Sequence, residues 1–507
     1  MSTATAEAGL TVQTSEGPVR GRVRGQTRSW RGIPYAEAPV GELRLRLPRR
    51  ARPWHDVLDA SGYGPWAPQR TRRMLSPAGP GTPMSEDCLT INVTAPKEPS
   101  AEPLPVLVFL HGGAFSSGSA AMDLIDGSAL VTGGNVLFVA MNYRLGALGF
   151  MDFRAYSTPE RPFDANPGLA DQVAALEWVQ RNIAAFGGDP GNVTLFGESA
   201  GATAALTLMC VPAADGLFHR AFLQSPAAGA VYGPELAAQW AAEFLGILGI
   251  GSGGAAEALS ELPAASLVAA ADQLAGKITP DAQPGARSLA PVVDGSFLPL
   301  HPLDAYAQGA AQRLPLVLGT MDNEGTLFDK FHDILPTSAE RIEKMFALTE
   351  PGLRDGVTAA YQGYPHKRQA VELGGDAVFW HPGIQLVQAH SEYAPAWCYR
   401  FDYAPRAARL AGLGATHGLD LPAVFGTYGS GAGKVLVGLG NRRTAANVGH
   451  RFQAALLRFA KSGVPGPMWP KYDTASRRTK IFDRYDRIEL DPRSARRKAW
   501  NGYRGYR

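Results

Sequence analysis

The run Val193-Thr194-Leu195-Phe196-Gly197-Glu198-Ser199-Ala200-Gly201 decides how the rest of the chain is read. Its first four residues form a β-branched and aromatic strand, and an Ala/Leu-rich helical segment, Ala200–Met209, follows directly. Between them stands Gly-x-Ser-x-Gly, with Ser199 at its centre. A strand that enters a helix through so tight a turn strains the serine backbone and projects its oxygen, so the flanking residues must be small. Gly197 and Gly201 meet that demand. Upstream, the strand Val106–Leu110 runs into His111-Gly112-Gly113-Ala114-Phe115. Small residues there let backbone N–H groups approach a developing oxyanion, and the expected donors are Gly113, Ala114 and Ala200.

A nucleophilic serine needs a base, and the base needs an orienting acid. In a strand–turn–helix setting both follow the serine, on loops after later strands. Of the ten histidines, His417 fits best. It stands in Gly414-Ala-Thr-His-Gly-Leu-Asp-Leu-Pro422, after the strand Trp397–Phe401 and among small residues. His111, beside the oxyanion turn, is read as packing. The acid falls in Leu316-Val-Leu-Gly-Thr-Met-Asp-Asn-Glu-Gly325, where residue chemistry alone does not separate Asp322 from Glu324.

Outward from these sites, continuous apolar runs alternate with helix-period segments. The strands expected are Val106–Leu110, Val136–Asn142, Val193–Phe196, Arg220–Gln224, Leu316–Gly319, Trp397–Phe401 and Lys480–Phe482. The helices expected are Gly168–Phe186, Ala200–Met209, Glu235–Leu248, Gln385–Ser391 and Arg451–Ser462. Strands without strict polar alternation are covered on both faces, so the pattern predicts an α/β fold with a mostly parallel sheet. A length of 507 residues suggests about three domains by itself. Positions 199, 324 and 417 span the chain, however, so residues 1–507 are read as one domain with surface insertions around 63–83 and 249–280.

Composition narrows the function. Lys and Arg number 49 against 46 Asp and Glu, a net charge of +3 that argues against nucleic acid or an anionic membrane as partner. Three cysteines cannot build a disulfide scaffold. Met1–Leu10 lacks the basic and apolar regions of a secretory signal, and runs such as Leu104–Leu110 are strand-sized, so a cytoplasmic location is expected. The Gly-rich stretch Gly426–Lys434 fails as a phosphate loop, because Tyr428 and Val435 stand where Gly and Ser or Thr are needed. Arg493–Arg507 carries six basic residues and reads as a terminal helix with a frayed tail.

Further segments give the chain a resemblance. Arg31-Gly-Ile-Pro-Tyr-Ala36, Ser85-Glu-Asp-Cys-Leu-Thr-Ile-Asn-Val93, Asn142-Tyr-Arg-Leu-Gly146, Asn166-Pro-Gly-Leu-Ala-Asp-Gln172, Phe186-Gly-Gly-Asp-Pro190, Pro291-Val-Val-Asp-Gly295 and Trp469-Pro-Lys-Tyr-Asp473 occur in order. From about Leu10 to Trp500 the chain resembles the type-B carboxylesterase and cholinesterase family. The resemblance implies an α/β-hydrolase fold whose large insertions wall an active-site gorge. It implies a serine carboxylesterase that works through an acyl-enzyme on Ser199, with a small-molecule ester as substrate. It places the base at His417 and the acid at Glu324, with no cofactor and no metal. Carbamate or amide hydrolysis and acyl transfer are alternatives for the same triad, and a non-catalytic binding protein is the alternative of another class. Whether the chain is a monomer or a homodimer is left open.

The resemblance also makes Ser225 a support behind the triad, with a packing role equally open, and implies framework ion pairs Arg44–Glu86 and Arg144–Asp171. Relatives bond a cysteine near Pro65–Gln69 to the one at Cys88. Ala67 stands there in this chain, so the rim loop 63–83 is expected to be held by packing alone. Cys210 and Cys398 are read as buried packing residues. Asp420 and Asn323 depart from the Glu and Asp that relatives commonly have. For the substrate pocket, Phe328 and Phe331 are expected to supply apolar wall, one of them at least partly as core. Glu198 either favours positively polarised groups or buttresses the site.

Overall fold

Apolar runs that show no polar face demand cover on both sides, and the computed structural model gives it to them. It describes residues 10–70 and 83–507. Eleven strands form one sheet: β1 (Arg22–Arg24), β2 (Thr27–Pro34), β3 (Thr90–Pro96), β4 (Leu104–Leu110), β5 (Leu137–Met141), β6 (Gly188–Glu198), β7 (Arg220–Gln224), β8 (Leu316–Met321), β9 (Ala396–Phe401), β10 (Arg478–Phe482) and β11 (Arg487–Leu490). Their spatial order is β11-β10-β9-β8-β7-β6-β4-β5-β3-β2-β1. From β4 to β10 every pairing is parallel. The flanking strands β1–β3 and β11 pair antiparallel, so the sheet is mixed at both edges. A separate three-stranded sheet joins Thr11–Gln13, Pro18–Arg20 and Leu58–Asp59.

The period-two pleat of β4 explains its sequence. Val106, Val108 and Leu110 enter one buried cluster, while Leu107 and Phe109 enter the other. Each face is then covered by helices. On one side lie α1 (Pro167–Asn182), opened by a proline whose missing N–H costs nothing at that position, and α2 (Ala200–Leu208). On the other lies α4 (Arg442–Ser462), which begins nine residues before the segment expected from sequence. The segment 249–280 is mostly helical, with α3 (Ala264–Gln273) at its centre and one π-turn, Leu274–Ile278, after it.

Two buried ion pairs bind these layers. Arg144 makes bidentate contact with Asp171 at 2.6 and 2.8 Å, with side chains 3% and 0% exposed. Arg44 pairs with Glu86 at 2.6 Å and also donates to the carbonyls of Ser260 and Leu262, which anchors that segment to the N-terminal region.

Two expectations are corrected here. The C-terminal segment is not frayed: after α5 (Ser494–Ala499), Trp500 is 0% exposed and Tyr503 is buried, because both rings pack on Phe346. Nor is the rim loop held by packing alone. Residues 71–82 lie outside the described residues, but the base of the loop is closed by hydrogen bonds. Trp66 N–H donates to Pro83 at 3.0 Å, Ser85 N–H to Trp66 at 2.9 Å, and the Gln69 amide exchanges bonds with Gly118 at 2.8 and 2.9 Å. Backbone groups at a buried loop base need partners whether or not a disulfide is present. Of the cysteines, Cys88 and Cys398 are buried, Cys210 is partly buried, and all three are free thiols.

Removing one partner of a buried pair leaves the other charge uncompensated. Asp171→Ala should therefore lower unfolding stability by about 3–5 kcal/mol, read from urea denaturation.

Candidate active site

At the carboxyl end of β6 the chain turns into α2 within one residue, and that residue is Ser199, with φ 56° and ψ −123°. Such a backbone costs on the order of 1–3 kcal/mol for a non-glycine residue and persists only when its surroundings enforce it. Here Ser199 N–H donates to Gln224 at 2.9 Å, and its carbonyl accepts from the Thr203 hydroxyl at 3.1 Å. The two glycines are steric necessities. A Cβ at Gly201 would lie 2.0 Å from the Leu110 carbonyl, and one at Gly197 would lie 2.6 Å from the Gly201 carbonyl carbon.

His417 and Glu324 arrive from the loops after β9 and β8. Asn323 N–H donates to Ala415 at 3.0 Å, which joins the two loops. His417 Nε2 lies 2.8 Å from Ser199 Oγ, and His417 Nδ1 lies 2.7 Å from Glu324 Oε2. The other oxygen of Glu324 accepts from Met321 N–H at 2.7 Å, so the carboxylate is oriented from both ends. Of the two acids open from sequence, only Glu324 meets the imidazole; Asp322 turns instead to Arg493 at 2.8 Å. The imidazole is walled by the rings of Phe379 and Phe328, with centroids at 4.4 and 5.0 Å.

After β4, Gly113 and Ala114 take positive φ values of 114° and 55°. A side chain at Gly113 would strike the Ser117 carbonyl at 2.1 Å. Ala200 opens α2, where the N–H has no intrahelical acceptor. All three residues border cavities that also contain Ser199. His111 behaves as a packing residue. It stacks on Tyr143 at 4.4 Å, and burial pushes it down to about 4.

Four buried ionisable groups lie together here. Glu198 Oε1 lies 3.3 Å from His417 Nε2. Burial raises the Glu198 carboxyl well above the usual range; His417 opposes that, and the charges of Asp420 and Glu324 reinforce it. Burial alone would lower His417, but the carboxylates of Glu198, Glu324 and Asp420 outweigh it and make the imidazole more basic than usual. Asp420, pushed up to about 6 by burial, accepts from Gln224 Nε2 at 2.8 Å and from the Tyr399 hydroxyl at 3.1 Å. Asp420 had drawn notice only as a departure from relatives; its nearness to His417 in sequence was the available signal. Phe379 gave none, since a remote turn delivers it.

Two hollows flank Ser199. The larger, about 250 Å³, includes His417, Glu198, Met122, Ile125, Leu421 and Phe328. The smaller, about 40 Å³, lies on the Ala200 side and includes Ala227, Leu289, Leu335, Phe328 and Phe379. Phe331 does not join either wall. It is 50% exposed as the last residue of the helix Gly325–Phe331, whereas Phe328, one turn earlier, is buried. Ser225 is fully buried, and its hydroxyl finds no hydrogen-bond partner among the described residues. Among the described residues no cluster of His, Cys, Asp or Glu is arranged to hold a metal ion, and no helix is long and apolar enough to cross a membrane.

A serine on a strand–turn–helix corner of a mostly parallel sheet, with its histidine and acid on later loops, defines an α/β-hydrolase. The model of the carboxylesterase family matches residues 8–500, so the chain belongs to that family, and it is a carboxylic ester hydrolase. It is 39% identical to the para-nitrobenzyl esterase of Bacillus subtilis (strain 168), over 96% of this chain and 97% of that protein. It is 35% identical to the fumonisin B1 esterase of Sphingopyxis macrogoltabida, over 92% and 85%. A solved PNB esterase structure superposes with a TM-score of 0.86 at 38% identity, covering 96% of this chain and 99% of that one.

The imidazole of His417 should titrate above the ordinary histidine value near 6.5. Glu198→Gln removes a negative charge beside it and should move that titration to lower pH, as followed by NMR of the ring protons.

Proposed function

We propose that Ser199 is the nucleophile of an ester hydrolase, His417 its base and Glu324 the orienting acid. The observation that carries this reading is the unbroken hydrogen-bonded line from Ser199 Oγ through both nitrogens of His417 to Glu324, at 2.8 and 2.7 Å. His417 takes the serine proton as Ser199 attacks the ester carbonyl. The N–H groups of Gly113, Ala114 and Ala200 hold the tetrahedral oxyanion. His417 then protonates the departing alcohol, and water hydrolyses the acyl-enzyme by the same steps in reverse order. Glu324 fixes the tautomer and stabilises the imidazolium. Residues 1–507 act as one unit in this reading, since the three groups come from loops of one sheet. The three free thiols support a reducing, cytoplasmic compartment.

The two hollows support a division of the substrate into its two halves. The leaving alcohol must face His417 to receive its proton, so it occupies the larger hollow, with Glu198 on its wall. The acyl chain then lies in the smaller hollow beyond Ala200, which suits short chains only.

In the free enzyme only neutral His417 accepts the proton, so kcat/KM should rise with pH through its titration, and the acid limb should lie above 6.5. Ser199→Ala should lower turnover by several orders of magnitude and abolish labelling by a fluorophosphonate; near-native hydrolysis in that variant would overturn the assignment. Across p-nitrophenyl esters from acetate to decanoate, kcat/KM should peak among the shorter chains. Leu335→Ala should move the peak to longer ones, while a wild-type rate still rising at decanoate would reject the acyl assignment.

A further inference from the structure

The acid loop carries a second carboxylate, Asp322, which the reaction above does not use. Backbone bonds pin one side of this loop: Asp322 N–H donates to Phe401 on β9 at 3.1 Å, and Asn323 N–H to Ala415 at 3.0 Å. Its other side opens on a hollow of about 360 Å³ bordered by Asp322, Glu324, Gly325, Asp376 and Leu413. Glu324 itself is buried, but its neighbour Asp322 is 37% exposed on this side, so side-chain contacts at Asp322 are what tie the loop across the hollow.

Arg493, just before α5, fills that role geometrically. Its Nη2 donates to the Asp322 carbonyl at 2.6 Å and to Asp322 Oδ1 at 2.8 Å, while its Nη1 donates to Asp376 Oδ1 at 3.0 Å. Asp376 opens the π-turn Asp376–Trp380, the turn that lays Phe379 against His417 at 4.4 Å. One guanidinium thus ties the acid loop to the turn that backs the imidazole. The two segments touch closely, since a Cβ at Gly375 would come within 2.5 Å of Gly325 N.

The surrounding charges keep the clamp in place. Arg400 approaches Asp322 at 3.5 Å, and Asp376 also accepts from Arg496 at 3.1 Å and from the Tyr361 hydroxyl at 2.8 Å. Glu372 pairs with Arg496 at 2.7 Å, and buried Trp500 donates to Tyr361 at 2.8 Å. The planar fork of arginine suits two carboxylates at fixed positions, which a lysine cannot span in the same way.

We infer that Arg493, acting through Asp322 and Asp376, is a positioning residue that sets the alignment of Glu324 against His417. The inference rests on the proposed roles of those two residues. Displacements on the order of 1 Å remote from the chemistry can cost about 100-fold in rate.

Arg493→Met should lower kcat by about 10- to 100-fold on a short p-nitrophenyl ester while KM stays close to wild type. Asp322→Asn should act in the same direction, and Arg493→Lys should recover part of the loss. Arg497→Met is the control: it breaks a pair with Asp491, at 2.7 Å and four residues further along the chain than Arg493, without touching the acid loop, and should leave kcat unchanged. Wild-type kcat in both Arg493→Met and Asp322→Asn would overturn the inference, as would an equal loss in Arg497→Met. Should Arg493→Met fail to fold, Asp322→Asn decides, since its side chain is 37% exposed and an amide fits there. Glu324→Gln is run alongside. If that variant keeps full activity, the triad reading falls; if it is inactive while the clamp variants are not, only the clamp falls.

Discussion

One corner of backbone constrains everything around it. At Ser199 the chain leaves a buried parallel strand and starts a helix with φ 56°, a conformation that an L-residue holds only when every neighbour enforces it. Gly197 and Gly201 are the residues that admit the close approach, because a Cβ at either would meet backbone at 2.6 or 2.0 Å. The atom met at Gly201 belongs to Leu110, the last residue of β4, so the corner also fixes where the following turn, with Gly113 and Ala114, begins. The strained serine and the Gly113–Ala114 turn are in this sense one steric solution.

The second constraint is electrostatic. Glu198, Glu324, Asp420 and His417 are all nearly or fully buried, where an isolated charge is costly. Sharing the burden lowers that cost. Glu324 is oriented by Met321 N–H and by the imidazole, Asp420 by Gln224 and Tyr399, and the rings of Phe328 and Phe379 wall the imidazole. The same crowding makes the imidazole more basic than usual and raises the Glu198 carboxyl, so the proton balance of the site belongs to the group and not to one residue.

Much of the fold was legible because it rests on local rules. The strands β4 to β10 announce themselves by apolar runs that need cover on both faces, and Gly-x-Ser-x-Gly marks its corner by sterics alone. The antiparallel edge β1–β3 was not legible. Thr27–Pro34 contains Gly32 at φ 68° and shifts register between Trp30 and Ile33, which hides the strand period. The order of Ser199, Glu324 and His417 followed from where loops leave a parallel sheet. The choice between Asp322 and Glu324 did not: both are acids on one loop, and only the direction each side chain takes separates them. Phe331 misled for a different reason: at i and i+3 it and Phe328 share a helix face, but Phe331 is the last residue of that helix and falls outside both cavity walls.

By itself, then, the sequence determined the sheet's parallel centre, the corner at Ser199 and the glycine positions, because backbone sterics and solvent exclusion act over a few residues at a time. Tertiary structure alone decided which rings enclose His417, where Asp322 turns and how the C-terminal arginines return to the acid loop. Those contacts join positions far apart in the chain, separated by 171 residues in the case of Arg493 and Asp322. Their direction is set by how the layers pack, and no local pattern of residues encodes that.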